Sequence, residues 1–107
     1  MSLVKHPKTL LVIFAEAALE KQLVQVAASH GAHGYTVCDV RGASQLHTAH
    51  AQRRTGEWEA ERSIEMKLIC APEVADLIAQ HVLTHHAPHY AVSLCFSEVQ
   101  VLRGDKF

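Results

Sequence analysis

Ser63-Ile64-Glu65-Met66-Lys67-Leu68 alternates strictly between polar and apolar residues. Ile64, Met66 and Leu68 therefore share one side of an extended chain, which is the pattern of a half-buried strand. Downstream, Pro72 can open a helix, because its missing N–H falls where no intrahelical partner exists. Val74, Leu77, Ile78 and Val82 give that helix an apolar face. Pro88 closes the connection that follows. Tyr90, Val92, Leu94 and Phe96 then alternate again. At Ser97-Glu98 the phase slips and Val99 and Val101 take over, which predicts a bulge or a new short strand.

Upstream, Leu10-Leu11-Val12-Ile13-Phe14 is a continuous apolar run, as in a strand covered on both faces. Glu16 to His30 follows, with Leu19, Leu23, Val26 and Ala27 on one helical face and Gly31 as its C-terminal glycine. Tyr35 to Val40 is rich in β-formers and reads as a second strand. The order is strand, helix, strand, strand, helix, strand. This predicts an α+β, ferredoxin-like βαββαβ sandwich with a long loop between strands 2 and 3. Both helices cover one face of the sheet. The other face, bearing part of Leu10–Phe14, needs another cover, which predicts an oligomer.

At 107 residues the chain fits a single domain spanning 1–107. The apolar share, 49%, suits a small globular core. A formal net charge of −1 offers no field for nucleic acid. Cys38, Cys70 and Cys95 form no CxxC pair and read as small buried hydrophobes in a reducing compartment. The opening MSLVKHPKT lacks the apolar core of a signal peptide, and Leu10–Ala15 is too short to span a bilayer. The expected location is the cytoplasm.

Gly42 to Glu61 shows no period, and unpatterned stretches of this length inside a compact domain tend to be functional or disordered. Arg41-Gly42 opens it, pairing a cation with a residue that lets a ligand approach the backbone. His47, His50, Arg53, Arg54 and Trp58 follow. Its polarity predicts that residues 43–58 are mobile without a ligand.

Gly31-Ala32-His33-Gly34-Tyr35-Thr36-Val37, followed by Arg41-Gly42, resembles the GxxGxTV…G signature of PII signalling proteins. The resemblance extends over nearly the whole chain. It is nearest to the PII-like proteins associated with bicarbonate transporters and carboxysomes. Those read GA-x-GYTV, then E-A-x-x-I after a loop of matching length; here Glu59-Ala60-Glu61-Arg62-Ser63-Ile64 matches in part. Tyr90-Ala91-Val92 and Ser97-Glu98-Val99 resemble their last strands.

The resemblance implies a homotrimeric regulator, not an enzyme, with an adenine nucleotide (ADP, ATP or AMP) in each cleft between subunits. It places Gly34, Tyr35 and Thr36 along the adenine, Arg41 and Gly42 at the phosphates, and Ile69 beside the base. Tyr90 and Ala91 approach from the start of the last strand, and Arg103 reaches phosphates from a neighbouring subunit. Bicarbonate is implied as a second ligand, and control of inorganic-carbon uptake or of a carboxysome-linked partner as the role. Residues 43–58 would contact that partner, a membrane transporter or another protein. There are departures. The GDGK turn is Ala87-Pro88-His89-Tyr90, His47 and His50 stand at loop arginines, and the uridylylated loop tyrosine is absent. These count against tight triphosphate binding, uridylylation and nitrogen signalling.

Two other readings stay open. One is a trimeric metal-binding tolerance protein of the related copper-resistance type, suggested by His81 and His85 one helical turn apart, His86, His89 and Cys38. The other is a small enzyme, although no Ser/His/Asp order or paired carboxylates stand at convincing spacing.

Overall fold

The computed structural model describes residues 2–42 and 61–107. β1 (His6–Glu16) runs through a short 3-10 turn (Ala17–Leu19) into α1 (Glu20–Ser29). β2 (Thr36–Gly42) and β3 (Glu61–Cys70) follow, then α2 (Pro72–His85), β4 (Val92–Val101) and a closing 3-10 turn (Gly104–Lys106). The sheet order is β2-β3-β1-β4 and every neighbouring pair is antiparallel. β1 and β2 therefore run the same way with β3 between them, and β3 and β4 run the same way with β1 between them. These are two interlocked split β-α-β units, the expected ferredoxin-like sandwich.

The register assigns every strand residue to a face, because directly opposed residues project to the same side. Leu11 opposes Leu68, Ile13 opposes Met66, and Ala15 opposes Ile64. These six are buried under the helices together with Leu19, Leu23, Val26, Ala27, Ala75, Ile78, Ala79 and Val82. The α1 face is the one the spacing predicts. On α2, Leu77 departs from expectation: it is 52% exposed, and Ala75 and Ala79 do the packing. Five residues before Val82, Leu77 lies about 140° around the helix from it and faces water. Pro72 occupies the first turn, and Gly31 takes a positive φ of 96° just past α1, so both helix boundaries fall where these residues put them.

The phase slip in β4 is not a bulge. Pairing with β1 runs unbroken from Ala15↔Val92 to His6↔Val101. Val92 and Leu94 pack against the core, but Phe96 on the same face is already 50% exposed. Beyond it the helices no longer cover β4, so Glu98 and Gln100 occupy that face, while Val99 and Val101 continue the other. The apparent slip marks the end of the helical cover.

The helix-free face carries Leu10, Val12, Phe14, Ile69, Val40, Val99 and a Glu65–Lys67 ion pair at 3.6 Å. Phe14 is 41% exposed there. The cysteines also depart from expectation: only Cys70 is buried, and Cys38 and Cys95 are exposed on the outer strands. Both project to the helix-free face, which nothing in the described residues covers. Burial pushes the Cys70 thiol up from its ordinary range, and Lys8 pulls weakly the other way. Among the described residues, no helix is long and apolar enough to cross a membrane. The loop expectations, mobility and partner contact at residues 43–58, lie outside the described residues.

Candidate functional site

β2 is one outer strand and β4 the other, and the expected site residues divide between them. Gly34 and Tyr35 lead into β2, and Thr36 opens it. Thr36 opposes Lys67, so continuing the register sets Gly34 level with Ile69 on the helix-free face. These residues gather along one sheet edge. Tyr35 alternates to the other side, 51% exposed, at the rim of an open hollow of about 580 Å³ with Ala17, Lys21 and Val24. A methyl group at Gly34 or Gly42 meets nothing within 4 Å, and neither has positive φ. Within one chain, nothing among the described residues requires a glycine at either position.

Arg41 and Gly42 close β2 where the chain leaves the sheet. Arg41 opposes Arg62 of β3 directly. Two guanidinium side chains therefore leave the same face from neighbouring strands, at Cβ spacings of about 5 Å. Like charges so placed repel, and an anion between them would offset the repulsion. Sequence reasoning did not single out Arg62, because a long loop separates it from Arg41.

Tyr90 and Ala91 precede β4, at the same end of the sheet as Arg41 but across its width. β2 and β4 stand three strand spacings apart, roughly 14 Å. A carboxylate fixes Ala91: its N–H donates to Glu16 Oε2 at 2.8 Å. Glu16 ends β1 and ties the incoming turn to the sheet. Its role was not legible, since the contact joins residues 75 apart. Glu16→Ala should lower the unfolding free energy by about 1–2 kcal/mol, because a partly buried N–H loses a charged acceptor. Glu16→Gln should recover most of it. Urea denaturation of the three proteins checks this; equal stability of all three would show the bond to be unimportant.

Arg103 lies beyond the far end of β4, exposed. It lines an open hollow of about 680 Å³ with His6, Lys8 and Asp105. The C-terminal turn sits on His6 closely enough that a methyl group at Gly104 would come within 2.9 Å of the His6 ring. Lys8 and His6, not foreseen from the sequence, put further basic groups beside Arg103. One chain thus brings together Gly34, Thr36 and Ile69, and separately Arg41 with Gly42. It does not bring Tyr90, Ala91 or Arg103 to either group. Among the described residues, no group of three or more His, Cys, Asp or Glu side chains is arranged to hold a metal ion.

The nitrogen regulatory protein P-II family profile matches residues 8–106. No curated protein sequence matches the chain. Among solved structures, a PII-like signalling protein from Thermus thermophilus is 38% identical, covering 99% of this chain and 98% of its own, with a TM-score of 0.75. CPII from Thiomonas intermedia K12, a structure bound to ADP and bicarbonate, superposes at TM-score 0.80 over 99% of both chains, at 16% identity. CutA from Synechococcus elongatus PCC7942 reaches 0.66 over 98% of this chain and 95% of its own, at 14% identity. The last two likenesses are of fold alone. The family profile, by contrast, runs from the third residue of β1 through the C-terminal turn, and the chain belongs to the P-II family.

Proposed function

We propose that this chain is a regulatory protein, not an enzyme, that forms a homotrimer and takes an adenine nucleotide in the clefts between subunits. ADP, ATP and AMP are the candidates, with bicarbonate as a second ligand. The division of the site residues between opposite sheet edges carries this reading. If they form one site, a second copy must bring its β4 edge and Arg103 to the β2 edge of the first. Two further features support it. Gly34 and Gly42 border space that a neighbour or ligand could fill, and the uncovered sheet face bears Leu10, Val12, Phe14 and Ile69. The structure of CPII, a similarly folded P-II-like protein, bound to ADP and bicarbonate supports the choice of ligands.

Arg41 and Arg62 form the phosphate end in this reading, joined by Arg103 from the neighbouring subunit. Adenine takes the edge formed by Gly34, Tyr35, Thr36 and Ile69, with Tyr90 and Ala91 closing it. Phosphate held at the base of residues 43–58 favours one arrangement of that segment. A nucleotide shifts its population only as far as it binds one arrangement better than another. The segment then reports to a partner, a membrane transporter or another protein engaged in inorganic-carbon uptake or linked to carboxysomes, in the cytoplasm.

Calorimetric titration with AMP, ADP, ATP and cyclic AMP, with and without bicarbonate, tests the ligands; heat from none of them would reject the reading. Sedimentation tests the assembly. We expect a species near three times the 11.8 kDa chain mass at micromolar concentration, and a stable monomer there would reject the inter-subunit site.

A further inference from the structure

Four of the nine histidines meet where the two helices end. His30 caps α1, His81 and His85 lie one turn apart on α2, and His86 caps α2. The His81 ring centroid is 5.4 Å from that of His30, 4.4 Å from His85 and 5.7 Å from His86. His30 Nδ1 lies 2.8 Å from the Val26 carbonyl and 3.3 Å from Ser29 Oγ. A carbonyl only accepts, so Nδ1 carries a hydrogen and fixes the orientation of that ring. His86 is 8% exposed, and its Nε2 has no hydrogen-bond partner among the described residues. As a bare acceptor on a neutral ring, that nitrogen is tolerable inside. Carrying a proton, it would be a buried charge with nothing to receive its hydrogen.

Among the described residues, the cluster contains no compensating carboxylate. The charges that bear on His81 are those of His85 and His86 on its own side and His30 from α1; the one that bears on His86 is that of His85. Burial lowers the proton affinity of both rings below that of an ordinary imidazole, and these neighbours lower it further. His85 and His86 stand at a helix C-terminus, whose dipole favours a cation; for His86 burial and the His85 charge outweigh it.

His86 also shapes the backbone beyond α2. Its N–H donates to Val82 O at 2.9 Å, and its carbonyl accepts the N–H groups of His89 and Tyr90, both at 3.0 Å. The residue whose ring is packed inside therefore holds the turn that delivers Tyr90 and Ala91 to β4.

We propose that the His30–His81–His85–His86 cluster is an acid-operated joint: protonation expels the His86 ring from its buried position and releases the turn carrying Tyr90 and Ala91. The sign follows from linkage. A group that binds protons less well when packed than when released favours release as pH falls. The joint is closed above the ordinary imidazole value of about 6.5 and opens progressively below it. Since Tyr90 and Ala91 belong to the proposed nucleotide site, acid would also reach that site, but the joint itself needs no ligand.

Amide exchange of the full-length protein without nucleotide, at pH 7.5 and 5.5, tests the joint, with protection factors corrected for the intrinsic pH dependence of exchange. The expected result is a several-fold loss of protection at the Tyr90 and His89 N–H groups at pH 5.5, while the N–H groups of β1 and β3 keep theirs. In His85→Gln, which removes the neighbouring charge that bears on His86, the loss at Tyr90 should be smaller. His86→Phe should abolish it, by filling the position with a ring that cannot charge. Protection at Tyr90 that is the same at both pH values in the unmodified protein overturns the proposal, whatever the variants do. So does an undiminished loss in folded His86→Phe. Because nucleotide is absent throughout, the result does not depend on whether the site binds ADP.

Discussion

Leu68→Ala should lower the unfolding free energy by about 2–5 kcal/mol, the range found when a buried leucine is truncated and its neighbours cannot close the gap. Leu68 is 1% exposed, lies on the second strand of the sheet and opposes Leu11 of β1. Both side chains lie under the helices in a core that includes Ile78 and Val82. The backbone on either side is held in ladders, to β1 from Ser63 to Cys70 and to β2 from Glu61 to Lys67, so little collapse is available. A domain of this size has only about 5–15 kcal/mol to lose. Leu83→Ala is the matched control: Leu83 is 56% exposed on α2, and its truncation should change stability by no more than about 0.5 kcal/mol. Urea denaturation at one fixed protein concentration checks both, since self-association makes stability depend on concentration. A loss below about 1 kcal/mol for Leu68→Ala, or equal losses for the two variants, would show that the core is not where the burial places it.

That core was legible because one physical constraint writes it into the sequence. A strand covered by helices on one face alternates, and Ser63–Leu68 alternates because its apolar residues face the helices and Ser63, Glu65 and Lys67 do not. Leu10–Phe14 fails to alternate for a related reason: β1 is the other inner strand, and its helix-free residues Leu10, Val12 and Phe14 are apolar as well. Where the constraint lapses, the reading fails. Past Phe96 the helical cover ends, the apolar residues pass to the other face, and an unbroken strand imitates a bulge. Cys38 and Cys95 look like core residues by composition, but the strands that carry them are at the edges.

The candidate site was legible in a different measure. Its β2 half is contiguous in sequence, from Gly34 to Gly42, so a short signature can carry it. Arg62, Glu16, Lys8 and His6 could not be found that way. Each gains its place from pairing register or chain reversal: Arg62 through the β2–β3 ladder, Glu16 through a bond to Ala91, and Lys8 and His6 through the C-terminal turn. Nor does the helical spacing of His81 and His85 disclose that His30 arrives from α1 to complete the cluster.

Arg41→Ala should weaken ADP binding about ten- to a hundredfold while the fold survives. A hydrogen bond from a guanidinium to phosphate contributes roughly 1.5–3 kcal/mol, which sets that range. Arg41 is exposed at the end of an edge strand, so its truncation removes no core contact. It also removes a cation that opposes Arg62 directly, which should relieve repulsion in the free protein and leave stability unchanged or slightly raised. The same pairing predicts that Arg62→Ala loses affinity too. If both guanidiniums hold one phosphate, the loss in the double variant should differ from the sum of the two single losses, since groups that share a ligand do not act independently. Additive losses would place the two guanidiniums on separate groups. Adenosine, which lacks phosphate, should bind all four proteins almost equally, because the proposed adenine contacts lie along Gly34, Thr36 and Ile69. Calorimetric titration with ADP and adenosine separates the cases. Unchanged ADP affinity in Arg41→Ala would remove this residue from the phosphate site. Equal losses for ADP and adenosine would mean instead that the substitution disturbs the β2 edge itself.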